Sequence, residues 1–341
     1  MKKLAIINTE YTLLFYILND SHWRDTQFFF IGRRISTRIL QLFHKEGGQF
    51  FSGYRLTLPT NGMIESQQIF LRLWRRCLST IARAFFYFTF LREKKNKWII
   101  YGHEMLYPST FFLKRGWNYY VLEDGTGSYA SLEQVKKWYK DGIFGGNCKY
   151  LPNGWSDAVK GVILSGQLPI PEGLREKTQF VDLHERWDSL PAAEKETIFR
   201  VFGFDIAYWQ RVFAEGRDCF LLTGNHYAYP GCSKEMQIEI YREILSHYDR
   251  RRVIINRHPA DQINYREFFP DCMILEADFP MELFYLTGLP IKKVISIYSS
   301  AGLSKFLRDE QVDFHVKYLE RFGTHLAPDA LAYISKRIYR E

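Results

Sequence analysis

Arg252-Val-Ile-Ile-Asn256-Arg257-His258-Pro259 is a short apolar run with an arginine before it and a His-Pro pair after it. Three β-branched residues in succession are too few for a helix and read as a buried strand over Arg252–Asn256. Pro259 fixes its own φ, brings no N–H and keeps His258 extended, so the strand ends in a loop that carries an imidazole. The pattern recurs on both sides. Cys219–Thr223 is a second apolar run, and Ser233–Tyr248 has helical periodicity between the two. Lys293–Tyr298 is a third strand, leading into a helix from about Ala301. Strands alternating with helices predict a parallel sheet covered on both faces, an α/β fold.

The alternation is also present upstream. Leu4–Asn8 reads as a strand, Tyr11–Leu18 as a helix, Gln27–Ile31 as a strand ending in Gly32, and Ile35–Phe43 as a helix. Trp98–Tyr101 and Tyr119–Leu122 are two more short strands. Asn61–Leu91 reads as helical, because Phe70, Leu73, Trp74, Cys77, Leu78, Ile81, Phe85 and Phe88 recur at three- and four-residue steps. Residues 165–190, rich in Pro, Gly and charge, read as an irregular connector, and Pro191–Glu215 as a helix. The chain therefore divides into two α/β halves, 1–190 and 191–341, with the last helix expected to pack back on the first.

Composition narrows the function classes. The 341 residues are 46% apolar and 25% charged, an ordinary globular balance that argues against disorder. Aromatic content is high, with 8 Trp, 22 Tyr and 28 Phe, which predicts that many are partly exposed. The cysteines Cys77, Cys148, Cys219, Cys232 and Cys272 form no close pair, which disfavours a disulfide scaffold and a thiolate zinc site and fits a reducing compartment. No run approaches the roughly 20 apolar residues of a membrane span. The apolar run after Met1-Lys2-Lys3 breaks at Asn8-Thr9-Glu10, too early for a secretory signal. The expected location is the cytoplasm.

Polar clusters follow the strands, where parallel α/β sheets place ligands. Val121-Leu122-Glu123-Asp124-Gly125-Thr126-Gly127-Ser128-Tyr129 ends in adjacent carboxylates. Their repulsion raises the pKa of one, which suits a general base, and the glycines admit a substrate near the backbone. Asp-Gly is equally a common turn pair. His258 is placed either to assist a phosphate or to close a strand. Val294-Ile-Ser-Ile-Tyr298-Ser299-Ser300-Ala301-Gly302 puts two hydroxyls at a strand-to-helix junction, where they cap the helix or bind an anion with it. Glu282, in Pro280-Met281-Glu282-Leu283, is an acceptor for a ribose diol or an ordinary first-turn acid. Thr223-Gly224-Asn225-His226 is a turn that either approaches a nucleotide through Gly224 and Asn225 or is purely structural. Gly102-His103-Glu104 either lines an acceptor side through His103 or holds a structural histidine.

Taken in order, Glu123-Asp124-Gly125, His258-Pro259 and Ser299-Ser300 resemble the motifs of the bacterial sialyltransferases, the lipooligosaccharide and polysialic-acid enzymes of the glycosyltransferase family 52 type. These share a D/E-D/E-G, an HP and an S-S/T motif, and the resemblance spans roughly residues 115–305. It implies a GT-B architecture of two Rossmann-like domains facing a central cleft. Residues 1–190 would take the acceptor and 191–341 the CMP-sugar. It further implies a CMP-sialic acid donor, inverting transfer, and neither metal nor cofactor. Asp124 would be the base for the acceptor hydroxyl and His258 would stabilise the departing CMP phosphate. Ser299 and Ser300 would hydrogen-bond that phosphate, Glu282 would hold the ribose, and Gly224 and Asn225 would line the donor site. Glu123 and His103 would lie on the acceptor side. A tertiary anomeric carbon bearing a carboxylate reacts through an oxocarbenium-like transition state, so preorganised donors at the leaving phosphate matter most.

The net charge of +8 has a local origin. Arg72, Arg75, Arg76, Arg83, Arg92, Lys94, Lys95 and Lys97 face only Glu93 within residues 72–97, around Phe85-Phe86-Tyr87-Phe88-Thr89-Phe90-Leu91. Basic charge beside aromatics suits the inner face of an anionic membrane and a lipid-linked glycan acceptor, while a helix with one buried and one solvated face explains the same pattern. A nucleic-acid binder is the more distant alternative, with no RRM, KH, helix-turn-helix or zinc pattern to support it. Closer alternatives are transferases for another CMP-activated acid, such as Kdo, pseudaminic or legionaminic acid. A non-catalytic relative would not need both Asp124 and His258.

Overall fold

The computed structural model describes residues 1–31, 35–51, 87–106, 108–140, 150–228, 232–258, 261–276, 279–297, 299–303 and 307–318. The chain forms two compact units, 1–166 with 170–203, and 167–169 with 204–341.

The first unit is built on seven strands, β1 (Lys2–Ile7), β2 (Thr26–Phe30), β3 (Gln49–Phe50), β4 (Trp98–Gly102), β5 (Asn118–Leu122), β6 (Gly161–Leu164) and β7 (Thr178–Phe180). They pair in parallel in the order β3-β2-β1-β4-β5-β6-β7. The second unit has five, β8 (Cys219–Leu222), β9 (Val253–Asn256), β10 (Met273–Leu275), β11 (Lys293–Ser296) and β12 (Val312–Phe314), parallel in the order β10-β9-β8-β11-β12. Register places Leu221 opposite both Ile255 and Ile295. Burial explains the apolar runs: Val253, Ile254, Ile255, Val294 and Ile295 are all fully buried, each worth about 2 kcal/mol in apolar surface. In both sheets the winding direction reverses, between β1 and β4 and between β8 and β11. Ligands of such sheets bind at the carboxyl ends of the strands beside that reversal.

Several elements differ from the sequence reading. The stretch 165–190 is ordered structure: a 3₁₀ turn (Glu172–Lys177), strand β7 and the helix Leu183–Ser189. A three-residue edge strand with two exposed residues carries no apolar signal. The predicted helix Pro191–Glu215 is two helices, Ala192–Phe202 and Ile206–Ala214. Gly203 at φ 62° ends the first in the left-handed conformation, and Asp205 caps the second through Tyr208 N–H. The first of these helices belongs to the first unit, so the division falls after Gly203 rather than after residue 190. That helix packs on the helix Thr37–Lys45 of the first unit with Ile198, Val201 and Phe202 buried, and surface ion pairs add to the contact: Arg200 grips Glu46 with two hydrogen bonds (2.8 and 3.0 Å), and Arg24 pairs with Glu194 at 3.2 Å. Directly after β11, where a helix is expected from about Ala301, the described residues form the 3₁₀ turn Ser300–Leu303; two more 3₁₀ turns, Asp309–Gln311 and Val316–Tyr318, flank β12. Most of the segment 61–91 and the last helix, beyond residue 318, lie outside the described residues.

Among the described residues most aromatic side chains are core. Phe43 packs on Trp23, Phe28 and Phe30 with centroids 5.3, 4.8 and 5.5 Å away. Trp209, Phe204 and Phe279 surround Phe284 at 4.7, 5.2 and 5.6 Å in the second unit. Edge-to-face packing of this kind makes large rings efficient core fillers. The expectation of partial exposure holds for a sizeable minority of the described aromatics, among them Tyr11, Tyr101, Tyr120, Trp155 and Tyr227, while Phe88, Tyr139, Phe180 and Tyr208 are largely exposed.

Candidate active site

In the first unit the carboxyl ends of β1, β4, β5 and β6 supply the site. Glu123 continues the ladder, its N–H donating to the Ile163 carbonyl (3.1 Å), and its side chain is 0% exposed. Tyr11 and Ser165 hydroxyls donate to Oε1 (2.6 and 2.9 Å), and the Tyr129 hydroxyl and Ser165 N–H to Oε2 (2.6 Å each). Burial pushes the Glu123 carboxyl up, and the four donors only partly offset it. The raised carboxyl is thus Glu123, and desolvation rather than repulsion by Asp124 is the cause.

Asp124, one residue on, is only half-buried. Asn8 Nδ2 donates to its Oδ2 (3.3 Å) and the Thr9 hydroxyl to Oδ1 (3.4 Å), while its own N–H donates to Ser128 Oγ (3.0 Å). Thr9 also caps the helix Glu10–Asn19 in a capping box with Thr12. Gly125 turns the chain at φ 107°, ψ −163°, a conformation essentially reserved for glycine. Asp124 is therefore a partly exposed carboxylate with both oxygens oriented, on a loop anchored by Glu123.

His103 and Glu104, after β4, are buried and reinforce this loop. His103 Nδ1 accepts from Met105 N–H (3.3 Å), so the ring hydrogen sits on Nε2 and donates to Asn153 Oδ1 (3.1 Å). Asn153 Nδ2 in turn donates to the Gly127 carbonyl (2.7 Å). Glu104 accepts from Gly154 N–H (2.6 Å), and its Oε2 finds no hydrogen-bond partner among the described residues. Burial pushes this carboxyl up as well. Glu123 and His103, expected on the acceptor side, stand behind the Asp124 loop because their polar atoms are used to hold it.

The second unit brings together the loops after β8, β9 and β11 and the helix Glu282–Leu286. His258 is exposed, just past β9. Its N–H donates to Thr223 Oγ1 (3.0 Å) and its carbonyl accepts from Asp261 N–H (2.8 Å). Asn256 Nδ2 approaches Met281 Sδ at 3.5 Å, which sets the end of β9 beside Glu282, itself 6% exposed. Tyr285 donates to the Ala301 carbonyl (3.0 Å), which joins that helix to the Ser299-Ser300 turn. Gly302 N–H closes the turn on the Ser299 carbonyl (3.0 Å), and Ser299 is partly exposed. Asn225 Oδ1 has no hydrogen-bond partner among the described residues. Gly224 is required by packing: a Cβ there would lie 2.3 Å from His226 Nε2. Burial, with His258 nearby, pushes the His226 imidazole down to about 4. Among the described residues no three of His, Cys, Asp and Glu converge as metal ligands, and no helix is long and apolar enough to cross a membrane.

With this geometry established, residues 79–320 match the family model of glycosyltransferase family 52. The chain belongs to that family. This glycosyltransferase is 25% identical over 279 residues to an uncharacterized protein of Haemophilus influenzae, covering 78% of this chain and 85% of that one. Among solved structures it is similar to the α/β-galactoside α-2,3-sialyltransferase of Photobacterium phosphoreum, with TM-score 0.56, 13% identity and coverage of 99% and 96%. It is also similar to a 2,6-sialyltransferase of Photobacterium sp. JT-ISH-224 solved with CMP and lactose, with TM-score 0.57, 12% identity and coverage of 99% and 76%. A third match, the GT-B domain of a Photobacterium damselae sialyltransferase, has TM-score 0.55 and 13% identity and covers 92% of this chain and 90% of that one. Likeness at this identity shows the fold, which is GT-B with two Rossmann-like units, as the three motifs lead one to expect.

Thr223, Gln237, Asp261, Asn8, Thr9, Tyr11, Tyr129 and Ser165 are site residues that the sequence reading leaves unassigned. Asn8-Thr9 carries the usable signal, a polar pair directly after a strand. Thr223 and Tyr129 lie in the quoted post-strand clusters without a role assigned to them, and the rest act through hydrogen bonds between elements and have no local signature.

Proposed function

We propose that this glycosyltransferase moves a sialic acid from CMP-sialic acid to a hydroxyl of a surface glycan, with inversion and without a metal. The observation that carries the reading is His258, an exposed imidazole just past β9 with both backbone groups fixed. The last residue of β9, Asn256, meets Met281 at the start of the Glu282 helix, which Tyr285 joins to the Ser299-Ser300 turn. The solved relative whose complex holds CMP and lactose supports a nucleotide-sugar donor of this kind and a glycan acceptor.

In this reading Asp124 accepts the proton of the acceptor hydroxyl as its oxygen forms a bond to the anomeric carbon. The bond from that carbon to the phosphate oxygen breaks, and CMP leaves with the electron pair. His258 donates a hydrogen bond or proton to the phosphate, Ser299 and Ser300 donate to its other oxygens, and Glu282 accepts from the ribose diol. Asn8 and Thr9 keep the Asp124 carboxylate aimed. The acceptor we propose is a lipooligosaccharide or capsule glycan, met at the inner face of the membrane through the basic segment 72–97. Of that segment, residues 72–86 lie outside the described residues.

A panel of CMP-sialic acid, CMP-Kdo, CMP-pseudaminic acid, CMP-legionaminic acid and UDP-sugars, assayed with EDTA for free nucleotide, tests the reading. CMP release from CMP-sialic acid above all other donors is expected. Preference for another CMP-sugar corrects the donor, loss of turnover in EDTA removes the metal-free route, and release of UDP alone or of nothing overturns the reading.

A further inference from the structure

We infer that Thr223 and Asp261 form a clamp that fixes the backbone of His258 and thereby aims its imidazole; the catalytic consequence rests on the reading above. The three residues close a ring of hydrogen bonds. His258 N–H donates to Thr223 Oγ1 (3.0 Å), the Thr223 hydroxyl passes its hydrogen to Asp261 Oδ2 (3.1 Å), and Asp261 N–H donates to the His258 carbonyl (2.8 Å). Thr223 is 3% and Asp261 3% exposed, so the ring is shielded from water while His258 itself faces outward.

Asp261 is held independently of His258. Its Oδ2 also accepts from the Tyr265 hydroxyl (2.6 Å) and Gln237 Nε2 (3.2 Å), and its Oδ1 from Ile263 N–H (3.0 Å). Gln237, fully buried in the helix Lys234–Leu245, binds the Gly224 carbonyl (2.9 Å) and accepts from His226 N–H (2.9 Å). The loops after β8 and β9 are thus one hydrogen-bonded body centred on a buried carboxylate. A charged acceptor with this many donors is strong and costly to break. An imidazole on an exposed loop would otherwise sample many orientations, and donors assist a leaving group only when preorganised. Thr223 and Asp261 are positioning residues: neither needs to touch the donor.

Thr223→Val removes the acceptor of the His258 amide at nearly constant shape, and Thr223→Ser retains it. Asp261→Asn turns N–H donors toward N–H donors already present. Amide hydrogen exchange at His258 is expected to speed up about tenfold or more in Thr223→Val and Asp261→Asn, and to stay within about twofold in Thr223→Ser. CMP-sialic acid turnover should fall about tenfold in Thr223→Val but less than about twofold when the same change is made in His258→Ala, since the clamp acts through that imidazole. Unchanged exchange at the His258 amide, or an equal fold-loss in both backgrounds, overturns the inference. A wild type that consumes no CMP-sugar overturns the proposed reaction instead, and the exchange rates still decide whether the clamp exists.

Discussion

Successive side chains of a strand point to opposite faces, so the Glu123-Asp124 pair at the end of β5 divides into one inward and one outward carboxylate. Glu123 meets two tyrosine hydroxyls and Ser165, and Asp124 meets Asn8 and Thr9 at longer range. Adjacency in sequence identifies the pair as chemically loaded, but only the sheet tells which member is sealed. Asp124, His258 and Ser299 are legible in sequence as candidates because each is a polar residue directly after an apolar run, where parallel sheets place ligands, although turns and caps use the same residue types. Asp261 and Gln237 are not, because parallel pairing of β8 with β9 alone brings them to Thr223. Glu104 provides a test at this scale. Its carboxyl is raised by burial, so the folded state holds the proton more tightly than the unfolded chain. Its contribution to stability is full below the ordinary glutamate pKa and is lost as pH rises through the folded value. Glu104→Gln keeps the acceptor for Gly154 N–H and removes the titration. Thermal unfolding followed from pH 4 to pH 8 should show the variant gaining on wild type as pH rises; parallel curves would contradict the assignment.

Most elements with a strong apolar run are legible in sequence; β6, with Val162, Ile163 and Leu164 buried, is an exception that the sequence reading leaves out. β1, β2, β4, β5, β8, β9 and β11 all stand where such runs predict strands, within a residue or two. β3, β7, β10 and β12 are two- or three-residue strands in outer positions, and their pattern is too short to separate from a turn. The single helix expected over 191–215 fails at Gly203, a left-handed stop that helical periodicity does not register. The basic, aromatic segment also acts as an element. In its described part Phe88 and Leu91 are 51% and 57% exposed on consecutive turns, and Arg92 stacks on Phe88 at 4.4 Å. Apolar side chains held out beside Arg92, Lys94, Lys95 and Lys97 suit an anionic bilayer surface, where each basic residue adds about 1 kcal/mol. The protein should co-sediment with phosphatidylserine vesicles and not with phosphatidylcholine ones, and Phe88→Ser with Leu91→Ser should weaken this several-fold. Equal binding to both vesicle types, or none to either, would contradict membrane contact through this segment.

At the scale of the whole molecule, two parallel sheets of the same winding order carry different halves of one proposed reaction. A half-buried carboxylate with oriented oxygens stands at the carboxyl edge of the first. An exposed imidazole, a carboxylate and a hydroxyl turn stand at that of the second. The restart of strand–helix alternation foretells two units. The boundary follows the packing of the helix Ala192–Phe202 on Thr37–Lys45, flanked by the Glu46–Arg200 and Arg24–Glu194 ion pairs, long-range contacts that no local pattern encodes. The excess positive charge belongs to one segment, so the chemistry of the proposed reaction does not depend on it. The central claim is that Asp124 and His258 serve the same transfer. Its most direct test is the rate of CMP release from CMP-sialic acid with acceptor present, in wild type, Asp124→Asn and His258→Ala. Each substitution is predicted to lower the rate at least about a hundredfold while leaving the unfolding temperature nearly unchanged. Wild-type turnover surviving in either variant would contradict the account.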